Sequence, residues 1–160
     1  MTLARSLFVL LTLILAGCMS TKNSSLGKPV ADISKAEIVG SKIKLAGALP
    51  HRIWAVTIDG KSSPLNGFPW DKVYSLDPGA RKITVQYEGA VMNLLGTTPR
   101  GFSAQTEFVL DAAPGIRYRT KGKYREGEVT LWIEEYSTEK IVCPAVTVPV
   151  TLLDSKVMVY

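Results

Sequence analysis

From Ser34 onward, apolar residues recur mostly at every second position, the period of a strand with one buried face. Residues 36–45 form the first such stretch, and Gly40-Ser41 can split it into two short strands. Residues 52–58 place Trp54, Val56 and Ile58 on one face, and Asp59-Gly60 supplies a hairpin turn. Residues 72–76 are short and extended. In the Asp77-Pro78-Gly79 turn that follows, proline presets φ and glycine accepts a positive φ. Residues 81–88 alternate most cleanly, with Ile83, Val85 and Tyr87 opposed to Lys82, Thr84 and Gln86. Residues 89–101 interrupt the pattern with Val91, Met92, Leu94 and Leu95, then Gly96, Pro99 and Gly101. Alternation resumes over 102–110, where Phe102, Ala104, Thr106, Phe108 and Leu110 share a face, and Ala113-Pro114-Gly115 is a second proline turn. Residues 116–121 and 128–135 read as a hairpin around 122–127, with Leu131 and Ile133 facing away from Trp132. In 141–153, Pro144 and Pro149 cannot donate to a ladder, which predicts an edge strand or two short strands. Closely spaced short strands without a helical period predict an all-β fold, an antiparallel β-sandwich of about seven or eight strands.

The chain before this domain follows other rules. Residues 1–17 hold Arg5, an apolar run over 7–15 broken by Thr12, and the small pair Ala16-Gly17. These are the parts of an export signal. The run is too short to span a bilayer, which takes about 20 apolar residues. Its end, Leu15-Ala16-Gly17-Cys18, resembles the lipobox of bacterial lipoproteins. The resemblance implies diacylglyceryl attachment to the Cys18 thiol, cleavage before Cys18 and, in many Gram-negative species, N-acylation. Two or more acyl chains make a stable anchor. Met19 stands where an Asp commonly retains a lipoprotein at the inner membrane, so the resemblance favours the outer membrane, facing the periplasm. Residues 18–33 are rich in Ser, Thr, Asn, Gly and Lys and read as a flexible tether, with a root-mean-square reach of about 20 Å. Residues 34–160 are then the β-sandwich domain.

Charge narrows the partners. The chain of 160 residues carries a formal charge of +5, and losing Arg5 with the leader lowers this to +4. That excess suits an acidic surface but falls short of a nucleic-acid footprint. With Cys18 lipidated, Cys143 has no partner for an intramolecular disulfide; between Val142 and the apolar Ala145 it reads as a small buried residue rather than a reactive thiol. His51 is the one histidine, and its place after Pro50 at a strand start predicts an exposed turn residue rather than a catalytic base. Glu134 and Glu135 point to opposite faces of a strand, so they do not form an acid–base pair. Glu126 and Glu128 sit at a hairpin tip among basic residues. Phosphate-loop, Cys-x-x-Cys and Gly-x-Ser-x-Gly patterns are absent, and the sequence calls for no cofactor and no metal.

Two features are candidate binding sites. Arg117, Arg119, Lys121 and Lys123 share one face of a strand and can meet lipid phosphates or an acidic protein, unless Glu126, Glu128 and Glu134 balance them across the hairpin. Met92, Leu94 and Leu95, with Trp70 in the Phe68-Pro69-Trp70 loop, either plug an end of the sandwich or form a partner surface. The Ile58-Asp59-Gly60 turn and the run from Val73 to Val85 through Asp77-Pro78-Gly79 resemble PEGA-type surface modules of bacterial envelope proteins, with a longer spacing between the turns. The resemblance implies a non-enzymatic module without catalytic residues. The expected function is therefore a lipid-anchored, non-catalytic binding or structural module of the envelope. Its partners are the membrane, through the Cys18 lipid, and an envelope protein or acidic polymer. The alternatives are an accessory subunit or inhibitor of an envelope machine and, more remotely, a hydrolase of envelope polymers.

Overall fold

The computed structural model describes residues 29–43, 51–62, 71–92 and 99–153, with the backbone alone for 91, 92 and 99. These residues form an all-β sandwich of two packed sheets. Its strands are β1 (Ala36–Val39), β2 (Ser41–Ile43), β3 (His51–Ile58), β4 (Lys61–Ser62), β5 (Val73–Leu76), β6 (Gly79–Met92), β7 (Pro99–Ala112), β8 (Arg117–Arg125), β9 (Glu128–Glu135), β10 (Ile141–Pro149) and β11 (Thr151–Leu152). One sheet has the order β10-β9-β8-β1-β5; the other runs β11-β7-β6-β3-β2, with β4 also on β3. Eight strands have four or more residues, matching the main elements expected from the pattern. One pairing departs from the antiparallel expectation: β1 runs parallel to β8, with Ile38 opposite Tyr118.

The turn residues divide by task. Asp59-Gly60 and Glu126-Gly127 close two-residue hairpins, and all four have positive φ, between 50° and 86°. That is the requirement of a type I′ turn, whose twist matches the strands it joins. The two proline–glycine turns do something else. Asp77-Pro78-Gly79 carries the chain from β5 in one sheet to β6 in the other, and Ala113-Pro114-Gly115 carries it from β7 to β8. Gly40 makes the same crossing between β1 and β2, and Val150 between β10 and β11. Residues 141–153 thus give two strands, each at a sheet edge, as the prolines predicted.

Side chains of both sheets meet in one core, which includes Ile38, Ile53, Leu76, Ile83, Val85, Tyr87, Leu110, Val129, Leu131 and Ile133. Burial of each large aliphatic side chain contributes roughly 1.5–3 kcal/mol. The alternation expected for β6, β7 and β9 is observed. That for β3 is corrected: Ile53 and Ala55 face the core, while Trp54 lies on the opposite side of the strand and is nevertheless buried. The register slips between Ala55 and Thr57, a bulge that inverts the inward parity so that Ile58 again packs on the core.

Two loops of the sequence reading are strand. β6 continues through Met92 and β7 begins at Pro99, so 89–92 and 99–101 of the interruption expected over 89–101 are strand, and the rest of it lies outside the described residues. β8 runs on to Arg125, so the hairpin loop expected over 122–127 is a two-residue turn. Gly122 lies inside the strand. A Cβ there would sit 2.8 Å from Ile53 Cδ1 of the facing sheet and 2.9 Å from the Thr130 carbonyl. The end of the expected tether is also attached to the domain. Ala31 N donates to Glu37 Oε1 at 3.1 Å, and Arg117 Nη2 donates to the Pro29 carbonyl at 3.3 Å.

Candidate functional site

Alternation on β8 sends Tyr118, Thr120 and Tyr124 inward, and Arg117, Arg119, Lys121 and Lys123 to the outer face of the five-stranded sheet. The structure does bring the four predicted cations onto one face, but carboxylates meet most of them. Arg117 Nε donates to Glu37 Oε2 at 2.7 Å, with both side chains about nine-tenths buried. Arg119 grips Glu134 through Nε at 2.9 Å and through Nη2, reaches Glu139 at 3.0 Å, and lies over the Tyr136 ring at 4.9 Å. The Trp132 indole also donates to Glu134, at 2.9 Å. Burial raises the affinity of Glu134 for a proton, but the indole and guanidinium donors outweigh it and hold the carboxyl below its ordinary pKa. Lys121 stands 3.9 Å from the same carboxylate, while Lys123 is exposed opposite Thr130. The face is an ion-pair ladder with Lys121 half-buried at its margin and Lys123 turned to solvent.

His51 requires a correction. It is not an exposed turn residue: it opens β3, faces the core in step with Ile53 and Ala55, and has no solvent exposure. Its ring meets Tyr87, Phe102 and Tyr124, all edge-on with centroids 5.4–5.5 Å away. His51 Nδ1 and the Tyr87 hydroxyl share a hydrogen bond of 2.6 Å, whereas Nε2 is buried without a hydrogen-bond partner of good geometry. Desolvation pushes the imidazole pKa below its ordinary value, and the Ala90 backbone partly opposes this. The sequence did carry a signal for the box: His51 and Ile53 are two apart, the strand period, and Tyr87 shares a face with Ile83 and Val85.

Cys143 is buried as expected. Its Sγ lies 3.5 Å from the Val109 carbonyl, and desolvation pushes the thiol pKa up to about 11. Neither Glu134 nor Glu135 is available as an acid–base partner for the other. Glu134 is bound as described, and Glu135 accepts from Thr138 at 2.7 Å.

At the far end of the sandwich, a cleft of about 340 Å³ is bordered by Asp59, Lys61, Tyr74, Asp77 and Arg81. Its carboxylates are already engaged. Asp59 accepts from Lys82 N at 2.9 Å and from Arg81 Nη1 at 3.0 Å, while Asp77 pairs with Lys35. Arg81 also donates to the Asp77 and Pro78 carbonyls, so it ties the hairpin turn to the sheet-crossing turn. Among the described residues, no three His, Cys, Asp or Glu side chains converge as metal ligands.

Of the other predicted sites, Cys18, Trp70, Leu94 and Leu95 lie outside the described residues. Met92 is placed by its backbone, as the last residue of β6 opposite Pro99. The chain matches no family model and no curated protein in sequence, and no solved structure in fold.

Proposed function

We propose that this chain is a non-catalytic binding or structural module of a bacterial cell envelope, held at the membrane by lipid on Cys18. One observation supports the non-catalytic part: among the described residues, the groups best suited to chemistry are committed to holding the sandwich together. His51 is sealed in an aromatic box, the Cys143 thiol is buried, and Glu37 and Glu134 are each bound by an arginine. A general base or nucleophile has to reach substrate, and these do not reach solvent. The anchor rests on Leu15-Ala16-Gly17-Cys18 at the end of an apolar leader. Arg81 joins the two turns that resemble PEGA-type modules, which supports reading them as one rigid surface unit. Contact with a partner falls to the apolar segments around Met92–Leu95 and Trp70, assisted by Lys121 and Lys123 rather than by the neutralised arginines.

The anchor is tested with Cys18→Ser. The variant loses the lipid-modified mass and leaves the membrane fraction after a high-salt wash, while wild type stays. A variant that remains membrane-bound with its lipid mass intact overturns the reading.

A further inference from the structure

The last β3–β6 pair is Arg52 opposite Glu88. Beyond it, β6 and β7 continue together through Gly89–Phe102, Ala90–Gly101, Val91–Arg100 and Met92–Pro99. On the β6 side no strand among the described residues covers this arm; on the β7 side β11 reaches Phe102, and Leu153 N donates to the Gly101 carbonyl at 2.8 Å. The His51 ring sits where the arm begins. A Cβ added to Gly89 would lie 3.0 Å from His51 Cδ2 and 2.7 Å from Phe102 Cε2. Glycine at position 89 lets both rings press against the backbone of the arm's first pair.

We propose that His51 is a proton-operated latch: it holds the base of the β6–β7 arm while its ring is neutral and releases it when the ring takes up a second proton. In the neutral ring one nitrogen donates and the other accepts: Nδ1 is bonded to Tyr87, while Nε2 has no partner of good geometry, and the interaction with the Ala90 backbone only partly opposes the cost of desolvation. Protonation makes both nitrogens donors and sets a charge in an apolar box. Aromatic walls attract a cation, but that gain is smaller than the hydration an imidazolium loses on burial. Among the described residues, the titratable groups packed against the ring are Tyr87 from β6 and Tyr124 from β8; Phe102 from β7 cannot ionise. Burial holds the Tyr87 hydroxyl neutral far above neutrality, so it offers no compensating anion. The adjacent Arg52 and Glu88 belong to the opposite face of their strands, as do Lys123 and Arg125 beside Tyr124. The cheapest response to the proton is to swing the ring out to water, and that unseats the arm.

The chain has a single histidine, so one imidazole signal reports the latch. The full chain in detergent is titrated by NMR. Amide exchange, corrected for its intrinsic pH dependence, is read at about pH 7.5 and again below the imidazole midpoint found in that titration, which burial places under the ordinary histidine pKa. Amides of residues 90–92 and 100–102 lose protection several-fold at the lower pH, while those of Ile83 and Val85 do not. His51→Phe fills the box without a proton site, and its arm is equally protected at both pH values. Unchanged protection in wild type, or the same loss in His51→Phe, overturns the latch. If His51→Phe does not fold, the wild-type titration decides: arm opening and the imidazole shift must share one midpoint, and separate midpoints overturn it.

Discussion

Gly122 illustrates how little a residue type says about its task. It stands near Gly127 in the sequence, and both read as turn glycines. Gly127 does have a positive φ of 86°, with nothing within 4 Å of an added Cβ. Gly122 instead gives room: a Cβ would meet Leu131 Cδ2 at 2.7 Å, Ile53 Cδ1 at 2.8 Å and the Thr130 carbonyl at 2.9 Å. The two side chains can shift, but the carbonyl belongs to the paired strand and cannot. Gly122→Ala should therefore destabilise the fold by about 1–3 kcal/mol, the usual range for overpacking. The measurement is the urea midpoint. An alanine variant as stable as wild type would mean that the sheets part at no cost and that the packing described here is wrong. His51 hid for a related reason. Proline before it suggested a turn; its two-residue spacing from Ile53 marked the inward face, but only the long-range pairing of β6, β7 and β8 brings three aromatic rings over it.

At the scale of elements, the arginines of β8 argue for pairing as the main use of that face. Arg119 and Glu134 are opposite one another in the β8–β9 register, so the hairpin turn at Glu126-Gly127 sets their meeting. Removal of one partner from a largely buried ion pair leaves a charge without compensation, at a cost of about 3–5 kcal/mol. Arg119→Met should show part of that loss, because Glu134 would keep the indole donor and the Lys121 ammonium at 3.9 Å but lose both guanidinium bonds. The double variant Arg119→Met/Glu134→Leu should recover much of it, since an apolar pair of similar volume replaces a buried ion pair at little net cost. Denaturant unfolding of the full cycle decides; additive losses would show that the two groups do not interact. This pairing was legible as a possibility, because odd-numbered cations and Glu134 share a hairpin. Glu37 was not, because it reaches Arg117 through a parallel β1–β8 pairing between strands far apart in sequence. Strands and turns followed local pattern and were read well: β6, β7 and β9 needed only period two. What escaped depended on register, as at the bulge that turned Trp54 away from the core.

For the molecule as a whole, these groups act together through pH. His51 has a lowered pKa because it is desolvated, so its contribution to stability is complete above its unfolded value of 6.5 and is lost as pH falls through the folded value. Glu134, Asp59 and Asp77 are also lowered. Glu134 is desolvated but held by Trp132 and Arg119, Asp59 by the Lys82 backbone and Arg81, and Asp77 by Lys35. Their contributions are complete above 4.5 for Glu and 3.8 for Asp and disappear below those values. Glu88 runs the other way. Desolvation raises its pKa, so its contribution is complete below 4.5 and is lost as pH rises through the folded value, which softens the acid slope without reversing it. The urea midpoint should then be highest above pH 6.5, fall once as His51 is forced to charge, and fall again below 4.5 as the ladder and the turn clamps are protonated. The two steps are separable. His51→Phe should flatten the first and keep the second, while Glu134→Gln should shrink the second and keep the first. A wild-type midpoint that holds constant from neutrality down to pH 4.5 would mean that His51 takes its proton without cost, and the aromatic box would then have to be open to water.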